Sequence, residues 1–328
     1  MPGRLVSTLL LAALFALICA LSLWTGSADL SFGEIFSVIF GFSENETAKV
    51  LLFQIRLPRL AAAVLVGASL ASAGLAMQTL FRNPLADPSI TGVSSGAALG
   101  AALAICLLPN FAFLVQPSAI IFGLLASFLI WHLGRLNGRT STFSMLLAGI
   151  AVNAFCGAIV GFAMYSARDA GLKSFIFWTL GSLDSCSWLA IACVAFVNAA
   201  AWLLLLFNAR ALNMLSLGID AAFHGGANVE RLQFIAIFCS AIMTGAAVSI
   251  CGIIGFVGLV VPHVMRILFG CDNRVLLPLS ALAGAILLIV ADLISRIVTP
   301  LDNVPIGVVT ALIGAPFFIY LLGRVRND

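Results

Sequence analysis

The sequence predicts an all-α polytopic membrane protein with about ten transmembrane helices. Its composition excludes an ordinary soluble domain, because 62% of the 328 residues are hydrophobic and only 9% are charged, whereas about 25% of residues in soluble domains are charged. The mean hydropathy is +1.17. A bilayer core of about 30 Å takes roughly 20 apolar residues per helical crossing, so the chain has room for roughly eight to eleven spans.

Ten apolar runs, separated by charged or Pro/Gly-rich breaks, are predicted to be these spans. Their approximate bounds are 5–25, 60–81, 92–108, 115–134, 142–166, 189–207, 231–250, 255–269, 276–297 and 306–323. The first run continues through Trp24 without a clear small-residue cleavage site, so we interpret it as a retained span rather than a signal peptide. No linker or low-complexity tract divides the chain, which predicts a single transmembrane domain over residues 1–328.

The distribution of basic residues predicts the orientation of the spans. An even number of spans puts both termini on one side of the membrane. With both termini in the cytoplasm, the arginines inside are Arg4, Arg82, Arg135, Arg139, Arg210, Arg231, Arg266, Arg274, Arg324 and Arg326. The basic residues outside are then Lys49, Arg56, Arg59, Arg168, Lys173 and Arg296. The excess on the inner side is the direction that the positive-inside rule expects.

Three polar segments are long enough to form structure outside the hydrocarbon core. Residues 26–55 and 166–187 fall outside, and residues 208–230 fall inside. The segment 166–187 contains Phe177 and Trp178, which favours a short helix at the membrane interface.

Several functional classes are excluded by what the sequence lacks. A formal net charge of +3 without a basic run gives no nucleic-acid surface. Most of the eight cysteines lie in apolar runs and none forms a CxxC pair, so neither disulfides nor a zinc site is predicted. The sequence has no HExxH motif and no GxxxxGK[ST] phosphate-binding loop. We therefore predict no catalytic, cofactor-binding or metal-binding residue in this chain.

The most informative stretch is Arg56–Gly100, in which the RLPR motif precedes a span and the polar turn Arg82–Pro88 follows it. Further blocks in the same order are 147–153, 177–183, 252–263, 291–296 and 305–318. In these residues the chain resembles the FecCD family of binding-protein-dependent ABC permeases, which import iron-siderophores, haem and vitamin B12. The resemblance implies the type II ABC importer permease fold, as in the vitamin B12 permeases.

The resemblance also implies the partners. Two permease subunits surround one central path, and since this chain supplies ten spans we expect it to pair with a copy of itself or a close homologue. Two ATP-binding cassette subunits, which bind ATP and magnesium, dock inside, and a periplasmic substrate-binding protein docks outside. The expected location is the bacterial inner membrane, in contact with lipid.

Three arginines on the outer side, Arg56, Arg59 and Arg296, occupy the positions with which the family docks its binding protein. Basic residues at a rim form charge-assisted hydrogen bonds with carboxylates of a partner. The alternative is that these arginines are interfacial anchors that reach the lipid headgroups.

Residues 212–230 occupy the position of the family's coupling region, two short helices that transmit closure of the ATPase to the spans. The resemblance assigns this role to Leu217, Gly218, Asp220, His224, Gly225 and Gly226. His224-Gly225-Gly226 departs from the Leu-Gly step usual in the family, which leaves the second short helix in doubt. The alternative is an ordinary solvated loop.

Polar residues within the spans are few. Ser144, Asn153 and Gly157 are candidates for lining the transport path. Asp292 lies near the end of a span, where an ionised carboxylate needs a partner, and Arg296 four residues later is on the same helix face. We predict that they form a structural pair rather than a proton relay. His263 is expected to be a satisfied structural histidine rather than a haem ligand.

The predicted function is therefore a permease, not an enzyme, that moves an iron complex, with haem as the first candidate. The block Phe175–Leu183 and the stretch Asn228–Arg231 most resemble haem permeases. A ferric siderophore and vitamin B12 are the alternatives within the family. An ion-coupled secondary transporter is the alternative from another class, but it requires charged residues at mid-membrane, and apart from Asp292 the spans offer almost none.

Overall fold

The computed structural model describes residues 2–26, 31–42, 45–136, 139–184, 186–298 and 304–325. Almost all of these residues are helical. The α-helices are α1 (Pro2–Trp24), α2 (Phe32–Ile39), α3 (Glu46–Val50), α4 (Leu57–Phe81), α5 (Val93–Ala102), α6 (Val115–Leu133), α7 (Thr142–Ser166), α8 (Asp169–Leu180), α9 (Trp188–Phe207), α10 (Ala209–Leu217), α11 (Ile219–His224), α12 (Val229–Cys251), α13 (Val257–Phe269), α14 (Asn273–Val298) and α15 (Ile306–Val325).

Shorter elements connect or extend these helices. A π-helical turn at Leu51–Arg56 joins α3 to α4, and another at Leu103–Leu107 extends α5. Two 3₁₀ turns lie at Pro88–Thr91 and Ala112–Leu114. The two-residue strands β1 (Arg135–Leu136) and β2 (Arg139–Thr140) pair in antiparallel orientation between α6 and α7.

Ten apolar helical stretches are present in the described part of the chain. Seven are long and apolar enough to cross a membrane, and three shorter ones, Val93–Leu107, Val257–Phe269 and Ile306–Ile319, bring the number to ten. The all-α fold predicted from the sequence is confirmed, and the chain is a multi-pass membrane protein.

The second helical stretch differs most from its predicted bounds. The prediction starts it at residue 60, but the helix runs without interruption from Glu46 to Phe81. Pro58, which the prediction puts just before the span, lies in the first turn of α4 directly after the π-helical turn. The wider π-helical turn accommodates a proline that would break the interior of an ordinary helix.

Helix α4 forms the centre of the bundle, because it packs against α14, α12, α13 and α9 and is buried along most of its length. Its most extensive contact is with α14, which runs antiparallel to it. A Cβ placed on Gly67 would lie 2.3 Å from the carbonyl oxygen of Gly284, and a Cβ on Gly284 would lie 2.3 Å from that of Gly67. A side chain at either position would clash with the facing backbone. Glycine at both positions therefore allows α4 and α14 to form one tightly packed pair.

Candidate functional site

The two ends of the α4–α14 pair carry the polar residues that the sequence singles out. We call the end at Arg59 and Asp292 the outer end, and the end at α10 and α11 the inner end. The outer cluster comprises Arg56, Arg59, Asp184, Asp292 and Arg296.

The centre of the outer cluster is the buried carboxylate of Asp292, whose relative exposure is 1%. Arg59 Nε donates to Asp292 Oδ1 at 2.7 Å, and Arg59 Nη1 also donates to Asp184 Oδ1. Arg296 Nη2 lies 3.0 Å from Asp292 Oδ2, an ion pair whose angles fall outside hydrogen-bond geometry. Two buried guanidinium groups are thus balanced by one buried and one half-exposed carboxylate, as buried charge requires.

Two arginines of the cluster also hold the C-terminal end of α1. Arg296 Nη1 donates to the carbonyl oxygens of Ser22 and Thr25 at 3.2 and 2.8 Å. Arg56 Nη1 donates to those of Leu23 and Trp24 at 2.5 and 3.0 Å. The last carbonyls of a helix lack partners within it and carry partial negative charge, so guanidinium groups stabilise this helix end.

The structure therefore brings the three predicted docking arginines together, but beneath the surface. Arg56 and Arg59 are 6% and 8% exposed, and the side chain of Arg296 is 9% exposed. The predicted pair of Asp292 with Arg296 is confirmed. Docking of a binding protein on these arginines stays a prediction.

Sequence reasoning missed Asp184 and the contact between Arg59 and Asp292. Asp184 lies 125 residues from Arg59 in the turn after α8, and Asp292 lies 233 residues away. No spacing rule connects such positions. The available signal was the acidic residue Asp184 directly after the block that ends at Leu183.

A cavity of about 240 Å³ adjoins the outer cluster. Arg59, Asp184, Gly181 and Ser295 contribute to its lining. The N–H of Ile306 donates to the carbonyl oxygen of Gly181 at 3.0 Å, which ties the start of α15 to the end of α8 beside this cavity. The cavity is smaller than the ligand pockets of roughly 300–1,000 Å³ found in proteins.

At the inner end, α10 and α11 form a helical hairpin, which we call the inner segment (Ala209–His224). Gly218 separates the two helices with φ +133°, a value that residues with a side chain rarely adopt. The first helix begins at Ala209, three residues before the predicted start at 212. The second helix, which was in doubt, forms and ends at His224, with Gly225 as its cap and Gly226 at φ +79°.

The inner segment exposes apolar side chains. Leu217 is 79% exposed and Phe223 is 70% exposed, whereas Leu212, Leu215 and Ala222 are buried against the bundle. Asp220 and His224 line a groove of about 830 Å³ on this side of the molecule. Such exposed apolar groups next to polar ones are typical of a protein interaction surface. The role of the segment in coupling stays a prediction.

Three hydrogen bonds connect the inner segment to the α4–α14 pair. Asn213 Nδ2 donates to Asp272 Oδ1 at 2.7 Å, and the N–H of Asn273 donates to Asn213 Oδ1 at 2.8 Å. Thr79 Oγ1 donates to Asn273 Oδ1 at 3.2 Å. Hydrogen bonds from Arg274 and then Asn213 hold the pKa of Asp272 well below its usual range.

Sequence reasoning also missed this link. Asn213 lies just inside the predicted coupling segment and Asp272 lies in a short turn between spans, but their contact depends on how α10 folds back under α14. The polar pair Asp272-Asn273 between two apolar runs was the only local signal.

The three candidate path residues all lie on α7 and have different surroundings. The N–H of Ser144, in the first turn, donates to Ser141 Oγ at 3.4 Å. Asn153 Oδ1 accepts a hydrogen bond from Ser95 Oγ of α5 at 2.5 Å. A Cβ on Gly157 would meet nothing within 4 Å, so this glycine faces open space. Their place along a transport path stays a prediction.

His263 differs from its prediction. Its ring lies 6.3 Å from that of Phe317, and its Nδ1 is buried without a hydrogen-bond partner in the described residues. The expectation of a fully satisfied histidine is wrong for this nitrogen, because the neighbouring side chain is aromatic and offers no conventional acceptor. The described residues contain no group of three His, Cys, Asp or Glu side chains that could hold a metal ion.

The chain matches the profile of a known protein family. The profile of the FecCD transport family matches residues 13–324. The chain is 41% identical to the hemin transport system permease protein of Yersinia pestis over 334 residues, which cover 100% of this chain and 99% of that protein. It is 43% identical to the cobalamin import system permease protein of Halobacterium salinarum over 282 residues, which cover 86% of this chain and 75% of that protein.

A solved structure is similar over the whole fold. It is a metal-chelate-type ABC transporter in an inward-facing conformation, with a TM-score of 0.87 and 32% sequence identity. The similarity covers 99% of this chain and 100% of the other chain.

Proposed function

This chain belongs to the FecCD transport family and is the permease subunit of an ABC importer, and from that premise we propose that its cargo is haem, moved across the bacterial inner membrane by ATP-driven alternating access. The observation that carries this proposal is the end-to-end similarity to a hemin permease, at 41% identity over the full length of both proteins. The resemblance of the block Phe175–Leu183 to haem permeases supports it.

The chain itself does no covalent chemistry, because ATP hydrolysis in such importers belongs to a separate subunit. In our proposal two ATPase subunits bind ATP and magnesium and dock on the inner segment. Closure of the ATPase pair displaces α10 and α11, and the Asn213–Asp272–Asn273 link transmits the displacement to α4 and α14. The spans then switch between inward-open and outward-open packings.

We further propose that the permease is a homodimer with both termini in the cytoplasm. Helix α7 supports a shared path, because one of its faces is uncovered and carries the small residues Ala151, Ala154, Ala158 and Gly161 beside larger ones such as Phe162 and Tyr165. A large cargo passes more easily between two such weakly polar faces than along a charged wall. Asn153 and Ser144 supply two of the few polar groups on this helix.

On the outer side, a periplasmic binding protein delivers the cargo in this proposal. Arg59 is the docking arginine with a partner near the surface, since Asp184 is 47% exposed in its side chain. A carboxylate of the binding protein therefore has to replace Asp184 on Arg59, or bind next to it. Arg56 and Arg296 contribute positive potential from beneath the surface.

Cobalamin is the second candidate cargo, because the identity to a cobalamin permease is 43%, although over 86% of this chain. A ferric siderophore is the third. An ion-coupled secondary transporter is disfavoured by the outer cluster: the buried carboxylate of Asp292 already contacts two arginines, so it is not a free ion-binding group.

The test is uptake by proteoliposomes that contain the permease, its ATPase and its binding protein. We expect ATP-dependent accumulation of haem, with much less accumulation of cyanocobalamin or of a ferric hydroxamate. Uptake of cobalamin alone would refute the haem assignment and leave the importer class intact. Uptake driven by an ion gradient without the ATPase would refute ATP-driven transport by this chain.

A further inference from the structure

An aromatic groove runs along the outside of the bundle between α6 and α12, near the inner end. It is formed by Phe128 and Trp131 of α6 and by Phe234 and Phe238 of α12. The ring centroids follow one another at 5.8 Å from Phe128 to Trp131, 5.2 Å from Trp131 to Phe234 and 5.4 Å from Phe234 to Phe238. The result is a continuous aromatic wall across two antiparallel helices.

The groove residues are exposed, although most of the residues around them on α12 are buried. Phe128 is 59% exposed, Phe238 is 45% exposed and Phe234 is 38% exposed, while most of the remaining residues of α12 are buried. Phe238 lies seven residues after Arg231, so the groove extends about 10 Å along α12 from its basic end.

The basic end of the groove carries two guanidinium groups. Arg135 Cζ lies 4.8 Å from the centroid of the Trp131 ring, a cation–π contact that holds this guanidinium at the mouth of the groove. Arg231 is exposed on α12, one turn before Phe234. Both arginines line a cavity of about 360 Å³ together with Trp131, Asn228, Glu230 and Phe234.

The charges at this cavity do not balance. Glu230 is the carboxylate in its lining, and its Oε2 lies 3.6 Å from Arg135 Nη2. Arg231 makes no ion pair with any side chain in the described part of the chain. One positive charge is therefore left over next to an apolar groove in the membrane, and a single phosphodiester group would neutralise it.

From this combination we infer that the groove between α6 and α12 is a binding site for one anionic phospholipid. Its phosphate lies in the cavity between Arg135 and Arg231, and the start of one acyl chain lies along Phe234 and Phe238. A lipid is the occupant because the groove lies on two spans, where the surrounding medium is the bilayer itself. An anionic headgroup is favoured over a zwitterionic one because the cavity carries a net positive charge.

Native mass spectrometry of the purified full-length permease, titrated with phosphatidylglycerol and with phosphatidylethanolamine, tests the site. We expect phosphatidylglycerol to be retained at least about fivefold more than phosphatidylethanolamine. The double variant Arg135→Gln/Arg231→Gln should lose this preference. The matched control Arg210→Gln, which removes an exposed arginine at the same end but outside the groove, should keep it.

A single variant tests the inference even if the double variant does not fold. Arg231→Gln changes one exposed side chain without an ion pair and is expected to lower the preference at least about twofold. Equal retention of both lipids by the unchanged protein would overturn the inference. So would an unaltered preference in Arg231→Gln, or an equal loss in Arg210→Gln, which would indicate non-specific attraction of anionic lipid.

Discussion

The outer and inner ends of the α4–α14 pair differ in how they use polar and apolar residues. At the outer end, Arg56, Arg59 and Arg296 are buried, and their guanidinium groups contact carboxylates and carbonyls of the same chain. At the inner end, Leu217 and Phe223 are exposed, whereas Leu212 and Leu215 of the same segment are buried against the bundle. The outer end is stabilised by contacts within the chain, whereas the inner end exposes apolar side chains.

This difference bears on function, because a surface that needs a partner exposes apolar area, whereas a buried charge network is costly to rearrange. The outer end is therefore costly to rearrange. We propose that a partner subunit binds the inner end, and the Asn213–Asp272 hydrogen bond connects that end to the start of α14.

The largest effect is expected from breaking the outer network. Asp292→Ala would leave Arg59 and Arg296 facing each other in a buried site, which costs about 3–5 kcal/mol. Thermal unfolding in detergent, compared with the unchanged protein, measures this loss.

The matched control is Glu46→Ala, which removes a partner from the exposed Lys49–Glu46 pair on the same side. Its expected cost is about 0.5 kcal/mol or less. Equal effects of the two substitutions would show that the outer end is not a buried network.

A smaller effect is expected from forcing the α4–α14 pair apart. Gly67→Ala places a methyl group 2.3 Å from the carbonyl oxygen of Gly284, and overpacking of this kind costs about 1–3 kcal/mol. Gly161→Ala is the control, because a Cβ there meets nothing within 4 Å. If both variants unfold at the same temperature, the close contact of the two helices does not stabilise the bundle.

Weakening the link at the inner end should affect coupling more than stability. Asn213→Ala removes two hydrogen bonds and is expected to cost only about 1–3 kcal/mol in stability. In reconstituted vesicles it should raise the number of ATP molecules hydrolysed per cargo molecule several-fold. An unchanged ratio would mean that the displacement of α10 reaches the spans by another route.

The smallest effect concerns pH. The pKa of Asp272 is lower in the folded protein than in the unfolded chain. Its carboxylate therefore stabilises the fold fully above the ordinary carboxyl pKa of about 3.9, and this stabilisation is lost as the pH falls from there through the lower pKa of the folded protein. The difference in melting temperature between the unchanged protein and Asp272→Asn should be constant from pH 8 to pH 5. A difference that shrinks already between pH 7 and pH 5 would contradict the assignment.

Local patterns in the sequence were sufficient for the helices and insufficient for the contacts between them. Hydropathy predicts ten spans because each span is a continuous apolar run, and the contact of Asp292 with Arg296 follows from their i, i+4 spacing. The contact of Arg59 with Asp292 depends instead on the antiparallel approach of two distant helices. Sequence reasoning therefore predicted arginines at an exposed rim, where the structure has arginines beneath the surface.

In the inner segment, too, the sequence predicts the helices but not their contacts. The family resemblance implies two short helices here, and the glycines at 218 and 225–226 permit the turns of such a hairpin. Which side chains of that hairpin remain exposed depends on the face that α10 and α11 turn towards the bundle. Leu212 and Leu217 are both leucines in the same short helix, yet one is buried and the other is exposed.

The most direct test of this comparison is the affinity of the partner ATPase for the purified permease carrying Phe223→Asp. Phe223 is exposed at the inner end, and Phe42→Asp, which changes a residue 78% exposed on the outer side, is the control. We predict that Phe223→Asp weakens ATPase binding at least about 30-fold without lowering the melting temperature of the permease, and that Phe42→Asp leaves it unchanged. ATPase binding to Phe223→Asp at the affinity of the unchanged permease would contradict the assignment of the inner end as the docking surface.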